Sequence, residues 1–285
     1  IIVGNNTITF DLSVGPYSGE AITIDDTNNN PTTITLPAFG ITAESTSGYD
    51  TTALDSISIN KLGWWSAYDT DDFNISGDVV LSWLDKTDNN NLQHVSGNDT
   101  TRSSNDGEGV AFNGSSSLTN PNFNIARYVA YTAVLVFKKT VAAPLSWLID
   151  SVNTNSYRNM IYSNSAGYVT TYRLHNGEFY PASPSKNSFT IYTNNNNALG
   201  DKDILIINFD GTGSSISAHS NTQQNGVFTG GSLGTGEMDG ITVGSLFNAT
   251  KGLTGEIYEI IYFDGILNVA ETYDCRDYLT TKWGI

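Results

Sequence analysis

Three carboxylates near the end of the chain have the residue type and spacing that acid–base chemistry would need. Glu256 and Glu259 lie in the segment GEIYEIIYFDGILN, residues 255–268, and Asp264 follows them. Two carboxyl groups cleave a glycosidic bond when they flank it, roughly 5–5.5 Å apart in retaining enzymes and roughly 6.5–9.5 Å apart in inverting ones. The same segment is rich in Ile, Tyr and Phe, which is typical of a β-strand.

Strand geometry decides between these two interpretations, because alternate side chains of a strand point to opposite faces. On that pattern Glu256 shares a face with Tyr258, whereas Glu259 shares the other face with Ile257 and Ile261. The two glutamates are therefore expected on opposite faces, where they fail as an acid–base couple. A buried carboxylate needs partners, so we predict that Glu259 ties its strand to backbone, Tyr or Arg groups. A catalytic partner on another strand remains open.

The nucleophiles that the chain offers stand in no recognisable catalytic motif. His94, His175 and His219 have no Gly-x-Ser-x-Gly segment near them, and Cys275 is in a predicted helix with no neighbouring His. Because Cys275 is the only cysteine, an internal disulfide and a cysteine-based zinc site are both excluded. The sequence therefore favours a non-catalytic protein over an enzyme.

Clustered acidic loop residues are the one pattern that suits a metal ion. Asp69, Asp71 and Asp72 form the first such group; the second is Asp85, Asp88 and Asn90. Hard oxygen ligands in loops are those that calcium prefers, so calcium is the ion that either group would bind. A solvated acidic loop is the alternative.

The composition indicates an all-β protein. Short runs such as DVVLSWLD, YVAYTAVLVFKK and DILIINFDG alternate with polar loops rich in Asn, Asp, Gly, Ser and Thr. Strand-like runs separated by such turn residues are typical of antiparallel sandwiches and barrels. Trp64, Trp65 and Trp83 have apolar neighbours and are predicted to pack in the interior. We therefore predict an antiparallel sandwich or barrel.

Only the C-terminal segment is predicted to be helical. Val269, Tyr273 or Thr272, Arg276 and Leu279 recur near helical spacing in NVAETYDCRDYLTTKWGI. The start is predicted from Asn268, which with Glu271 three positions later forms a capping-box pattern. Stop signals follow at Lys282 and Gly284.

The charge of the chain limits the classes of partner. Its 285 residues carry a formal net charge of −16, and such a surface repels phosphate backbones and anionic membranes. No apolar run approaches the roughly 20 residues of a spanning helix. We therefore expect neither nucleic-acid binding nor membrane insertion.

Several segments, in order, resemble the concanavalin A-like, laminin-G-like jelly-roll domains of bacterial surface proteins and of bacteriophage tail or virion proteins. They are LGWWSAYDTDDF, DVVLSWLDKTDNNNLQHV, GVAFNGSSSL and the final GEIYEIIYFDGILNVAETYDCRDYLTTKWGI. The resemblance covers about residues 61–285 and implies an all-β, antiparallel two-sheet jelly-roll sandwich there. Residues 1–60 are then an N-terminal extended, β-rich segment or arm. Glucanases of this sandwich type carry Glu-x-Asp-x-x-Glu, and EMDGIT, residues 237–242, lacks the second Glu.

The resemblance also implies where a sugar would bind. Such sandwiches combine an aromatic platform with polar side chains in a shallow cleft, and the segment YVTTYRLHNGEFY, residues 168–180, offers both. Its candidate carbohydrate-binding residues are Tyr172, Arg173, His175, Asn176 and Tyr180. An ordinary strand with an exposed tyrosine is the alternative.

The resulting expectation is a non-enzymatic structural and carbohydrate-recognition module of a phage virion or bacterial surface assembly, either in the virion or at the cell surface. Its partners would be cell-surface glycans or neighbouring subunits, including copies of itself. Two alternatives remain: a glycoside hydrolase or polysaccharide lyase on the same fold, and a purely architectural subunit.

Overall fold

The computed structural model divides the chain into two compact units, Ile1–Gly48 and Tyr49–Ile285. Leu54 and Ile57 belong to the buried core of the larger unit. The division into an N-terminal β-rich segment, residues 1–60, and a jelly-roll domain, residues 61–285, stays a prediction. The structure describes residues 2–3, 6–7, 22–25, 31–34, 54, 57–102, 108–126, 129–141, 145–152, 158–164, 168–175, 178–180, 189–192, 200–209, 215–220, 224–229 and 238–285.

The described residues of the smaller unit form two antiparallel strand pairs. The first pair is β1 with β2, and the second is β3 with β4. Their bounds are Ile2–Val3, Asn6–Thr7, Ile22–Asp25 and Pro31–Ile34.

One layer of the larger unit is a seven-stranded antiparallel sheet. Its strands are β5 (Lys61–Ser66), β9 (Val110–Asn113), β11 (Tyr131–Lys139), β17 (Lys202–Phe209), β18 (Ser215–Ser220), β19 (Gln224–Thr229) and β21 (Thr254–Phe263). The spatial order is β19-β18-β17-β11-β21-β5, and β9 pairs with the first part of β21. The apolar run of β11 lies at the centre, between β17 and β21.

The other layer is a ten-stranded antiparallel sheet. Its strands are β6 (Phe73–Ser76), β7 (Val79–Trp83), β8 (Leu92–His94), β10 (Leu118–Ile125), β12 (Leu145–Asp150), β13 (Arg158–Asn164), β14 (Tyr168–His175), β15 (Glu178–Tyr180), β16 (Phe189–Tyr192) and β20 (Met238–Val243). The order is β15-β14-β13-β12-β20-β10-β8-β7-β6, with β16 also paired to β14.

The two sheets pack face to face through aromatic side chains. Phe123 of the ten-stranded sheet contacts Trp65 and Tyr262 of the seven-stranded sheet, edge to face, with ring centroids 5.4 and 5.1 Å apart. The indole of Trp83 donates a 2.8 Å hydrogen bond to the Ser66 carbonyl across the same interior. All-β sandwich architecture and the interior placement of the tryptophans are confirmed.

The larger unit also contains a turn of 3₁₀-helix, Thr70–Asp72, and a C-terminal α-helix, α1 (Val269–Trp283). The predicted capping box is confirmed, because Asn268 Oδ1 accepts from the Glu271 amide and Glu271 Oε2 accepts from the Asn268 amide. Gly284 ends the helix in the left-handed conformation, with φ 64°. Among the described residues no helix has the length and apolarity to cross a bilayer.

The residues whose spacing indicates the helix match the buried face of α1 only in part. Val269 and Tyr273 are 63% and 36% exposed. The residues that pack inward are Thr272, Cys275, Tyr278, Leu279, Lys282 and Trp283. The sequence pattern misleads because the inward face contains a threonine, a cysteine and a lysine, while two apolar residues face outward.

Candidate functional site

The predicted separation of Glu256 and Glu259 onto opposite faces is wrong, because β21 contains a bulge between them. Its register pairs Glu256 with Lys138 and Glu259 with Val136 of β11. Lys138 and Val136 are two residues apart and share a face, so both glutamates lie on that face. Tyr258 is the extra residue of the bulge, since Ile257 pairs with Phe137 next to the Val136–Glu259 pair.

Glu259 lies beneath helix α1 with no solvent exposure. Its Oε1 accepts a 2.6 Å hydrogen bond from the Trp64 indole, and its Oε2 accepts a 2.9 Å hydrogen bond from the Trp283 indole. Lys282 Nζ lies 2.8 Å from Oε2 and 3.1 Å from Oε1. Both carboxylate oxygens therefore have partners, as a buried charge requires.

Lys282 completes this buried network from the helix side. Its ammonium also donates to Ser66 Oγ at 2.8 Å and to the Tyr278 hydroxyl at 3.0 Å. The rings of Trp64 and Trp283 lie 5.9 and 5.3 Å from the nitrogen, within the range of cation–π attraction. We call Glu259, Lys282, Trp64, Trp283, Ser66 and Tyr278 the helix-anchoring network.

The helix-anchoring network has the properties of a structural junction. It joins β5, β21 and α1 through one carboxylate, which no substrate reaches because it is fully buried. The expectation of a paired, structural Glu259 is confirmed, although the partners are two indoles and a lysine. In the sequence, Lys282 is recognisable only as a helix stop signal. The alternation of β21 predicts that Glu259 is buried, but it does not identify Lys282 as its partner.

Glu256 belongs to a second, half-exposed group on the same face. Lys138 Nζ lies 2.9 Å from its Oε1, and the Tyr258 hydroxyl donates to its Oε2. Burial, and then the hydrogen bond to Glu256, raise the pKa of the Tyr258 phenol well above its ordinary value. These two contacts tie the Glu256 carboxylate to β11 and to a neighbouring residue of β21.

Of the other nucleophile candidates, Cys275 and His94 have described side chains, and the side chains of His175 and His219 lie outside the described part. Cys275 is fully buried in α1, and burial raises the pKa of its thiol well above the ordinary value. Because the thiolate is the reactive form, this cysteine is inert in the folded protein. His94 pairs with Asp99 at 2.7 Å on the surface.

The candidate calcium loop is organised around a lysine. Lys86 Nζ lies 2.8 Å from Asp72 and 3.7 Å from Asp69, and Asp71 is exposed. Burial raises the pKa of Asp72, and Lys86 partly opposes that rise. Within the described ranges no group of three or more His, Cys, Asp or Glu residues is placed to hold a metal ion. Calcium at Asp69, Asp71 and Asp72 stays a prediction.

Asp85, from the alternative acidic group, caps a turn. It accepts hydrogen bonds from the Trp64 amide at 2.8 Å and from the Thr87 amide and hydroxyl at 3.0 and 2.6 Å. These bonds hold the loop after β7 against β5, so the Asp85 carboxylate has a structural role.

The predicted carbohydrate-binding segment forms the β14–β15 pair at one edge of the ten-stranded sheet. Arg173 pairs with Tyr180 and His175 with Glu178, so these positions belong to one face of the sheet. Tyr172 pairs with Met160 of β13 and occupies a position of the other face. Asn176 lies outside the described residues. A binding role for the five residues stays a prediction.

Comparison with known proteins identifies solved structures with a similar fold, but it identifies no family for this chain. No family model and no curated protein sequence matches the chain. The solved structure of Trypanosoma rangeli sialidase in complex with sialic acid is similar, with a TM-score of 0.52 at 14% identity, over 77% of this chain and 32% of the sialidase. The same enzyme with 2,3-difluoro-KDN gives 0.50 at 14% identity over the same shares. The chain thus spans about a third of the sialidases it matches, and the likeness extends to the β-sandwich fold.

Proposed function

We propose that the protein is a non-enzymatic glycan-recognition module. The observation that carries this proposal is that both β21 carboxylates are paired with other side chains of the fold. Glu259 anchors α1 and is fully buried, and Glu256 is paired with Lys138 and Tyr258. What remains for function is the surface of a rigid sandwich, which suits recognition better than bond cleavage.

The class of ligand is supported by the comparison and by charge. The sialidase with a similar fold is described in complex with sialic acid, which favours a glycan as the partner. Sialylated glycans are anionic, however, and this chain carries a net charge of −16. Like charges oppose association at low ionic strength, so neutral glycans are the class that we propose.

The place of action that we propose is a bacteriophage virion or a bacterial surface assembly, as the sequence resemblance implies. In such an assembly the sandwich would display its loops and strand surfaces to cell-surface glycans. Neighbouring subunits, including further copies of this chain, would hold it in place. Electron microscopy of purified particles with a labelled antibody tests this part independently of glycan binding.

Binding of the full chain to an array of neutral and sialylated glycans tests the recognition proposal. An assay for newly formed reducing ends is run in parallel. We expect binding to neutral glycans without release of reducing ends. Release with turnover would establish the glycosidase alternative, and unsaturated products would establish the lyase. Absence of binding on the whole array would overturn glycan recognition and favour the architectural subunit.

The β14–β15 segment provides the variants for this test. Tyr180→Ala removes the predicted aromatic platform, and we expect it to weaken binding by about ten-fold or more, equivalent to about 1.4 kcal/mol. Tyr273→Ala on α1 is the matched control, because Tyr273 is an exposed tyrosine on a different element. Equal affinity of both variants would remove the segment from the site.

A further inference from the structure

Two adjacent rows of residues run across six strands of the ten-stranded sheet, in the order β6-β7-β8-β10-β20-β12. The inner row is apolar and buried, with exposures between 0 and 8%. Its members are Phe73, Trp83, Leu92, Leu118, Val243 and Ile149. They face the seven-stranded sheet, and Leu118 is offset by two residues from Leu92 because it pairs with His94.

The second row consists of the sequence neighbours of those residues and therefore lies on the outer face. Consecutive members are direct cross-strand partners, so the row is continuous. We call it the polar row; its members are Asn74, Ser82, Gln93, Thr119, Thr242 and Asp150. Five steps of about 4.8 Å between strands give it a length of about 24 Å.

The two ends of the polar row differ in accessibility. At the β12 end Asp150 and Thr242 are buried, and Asp150 accepts hydrogen bonds from the amides of Ser151 and Phe247 at 2.9 and 3.0 Å. The loop 244–251 therefore borders that end. At the β6 end Asn74 and Gln93 are exposed, whereas Ser82 between them is buried and its hydroxyl accepts a 2.7 Å hydrogen bond from the Asn74 amide. The accessible part consists of Asn74, Gln93 and the half-buried Thr119, and it spans about 14 Å.

The accessible part is uncharged although the chain is strongly acidic. Asn74, Gln93 and Thr119 present only amides and a hydroxyl, which both donate and accept hydrogen bonds. Sugar hydroxyls have the same dual capacity. Beside them Leu81, the extra residue of a bulge in β7, is 43% exposed and supplies an apolar contact for the C–H face of a sugar ring.

We propose that the polar row binds an extended, neutral polysaccharide along the outer face of the ten-stranded sheet. This inference rests on the proposed function and gives it a ligand class and a second surface, separate from the β14–β15 segment. A row about 14 Å long contacts several successive sugar units, so affinity should rise with chain length. Because the row is uncharged, affinity should change little with salt concentration.

The test measures binding of the full chain to neutral oligosaccharides of graded length, from disaccharides to hexasaccharides of glucose, mannose and xylose. We expect the hexasaccharide of the preferred sugar to bind at least about ten-fold more tightly than the disaccharide. Gln93→Glu keeps the size of the side chain but adds a charge, and Thr119→Val keeps the shape but removes the hydroxyl. Each should weaken hexasaccharide binding by about ten-fold.

The same Gln-to-Glu change at Gln224, in strand β19 of the other sheet, is the matched control and should bind like the wild type. Unfolding temperatures of all variants show that each one folds. If the wild type binds glycans but Gln93→Glu and Thr119→Val bind equally well, or if affinity is independent of chain length, the polar row is refuted while glycan recognition stands. If the wild type binds no glycan, both proposals fail.

Discussion

At the residue scale, Glu259 illustrates how a carboxylate that resembles a catalytic group is used for stability. Removing two charges from water is unfavourable unless each of them is paired and hydrogen-bonded. Glu259 and Lys282 meet this condition, with 0% and 2% of their side chains exposed and the indoles of Trp64 and Trp283 on the two carboxylate oxygens. The pair holds the last turn of α1 against β5 and β21.

Substitution of either partner should therefore strongly destabilise the protein. Glu259→Gln leaves the Lys282 ammonium buried without its counter-charge, and we expect the free energy of unfolding to fall by about 3–5 kcal/mol. Denaturant titration of the full chain measures it. Glu256→Gln is the control, because the Lys138–Glu256 pair is half-exposed and should contribute less than about 1 kcal/mol. Equal losses in the two variants would contradict the assigned role of Glu259.

The sequence predicts the face of Glu259 correctly and that of Glu256 incorrectly, because β21 contains a bulge between them. Alternation along Glu259, Ile261 and Phe263 holds, because that part of β21 pairs regularly with β11. The bulge at Tyr258 reverses the side of Glu256, and a bulge is set by pairing with the neighbouring strand. Lys282 is similarly missed, because its partner is 23 residues away and on another element.

At the element scale, the ends of α1 are predictable and its buried face is not. The capping box at Asn268 and the glycine at the C-terminus involve only neighbouring residues, which the sequence displays. The buried face depends on what the helix covers, and here it covers an ion pair. Polar residues such as Thr272 and Lys282 therefore pack inward, while Val269 is exposed.

The thiol of Cys275 reports whether this helix is docked. It is fully buried, and burial raises its pKa, so alkylation requires the helix to open. Asn268→Ala removes the cap, which is worth about 1 kcal/mol, and we expect labelling by iodoacetamide to become about five-fold faster, the equivalent of that energy. Asn268→Asp retains a capping oxygen and should label at the wild-type rate. Equal rates for all three proteins would show that the thiol is reached without opening of the helix start.

At the scale of the whole molecule, turn spacing and strand composition predict an antiparallel sandwich or barrel, and the family resemblance implies the two-sheet form. Neither predicts the order of the strands. β20 lies between β10 and β12 in the sheet. In the sequence it is far from β12, because the hydrogen bond from Thr242 to Ser151 joins residues 91 positions apart. Such a pairing leaves no local pattern. The polar row is hidden for the same reason, since its six residues become neighbours only through the register.

The extent of the folding unit gives the last prediction. Tyr49–Ile285 forms one compact unit, and its core includes Leu54 and Ile57, with exposures of 0 and 5%. A fragment of residues 49–285 should therefore unfold in one cooperative transition. A fragment of residues 61–285 lacks both side chains, and the loss of each buried aliphatic group costs about 2–5 kcal/mol. We expect its unfolding midpoint in urea to be clearly lower, or the fragment not to fold. Equal midpoints would place the start of the folding unit at residue 61, where the sequence resemblance begins.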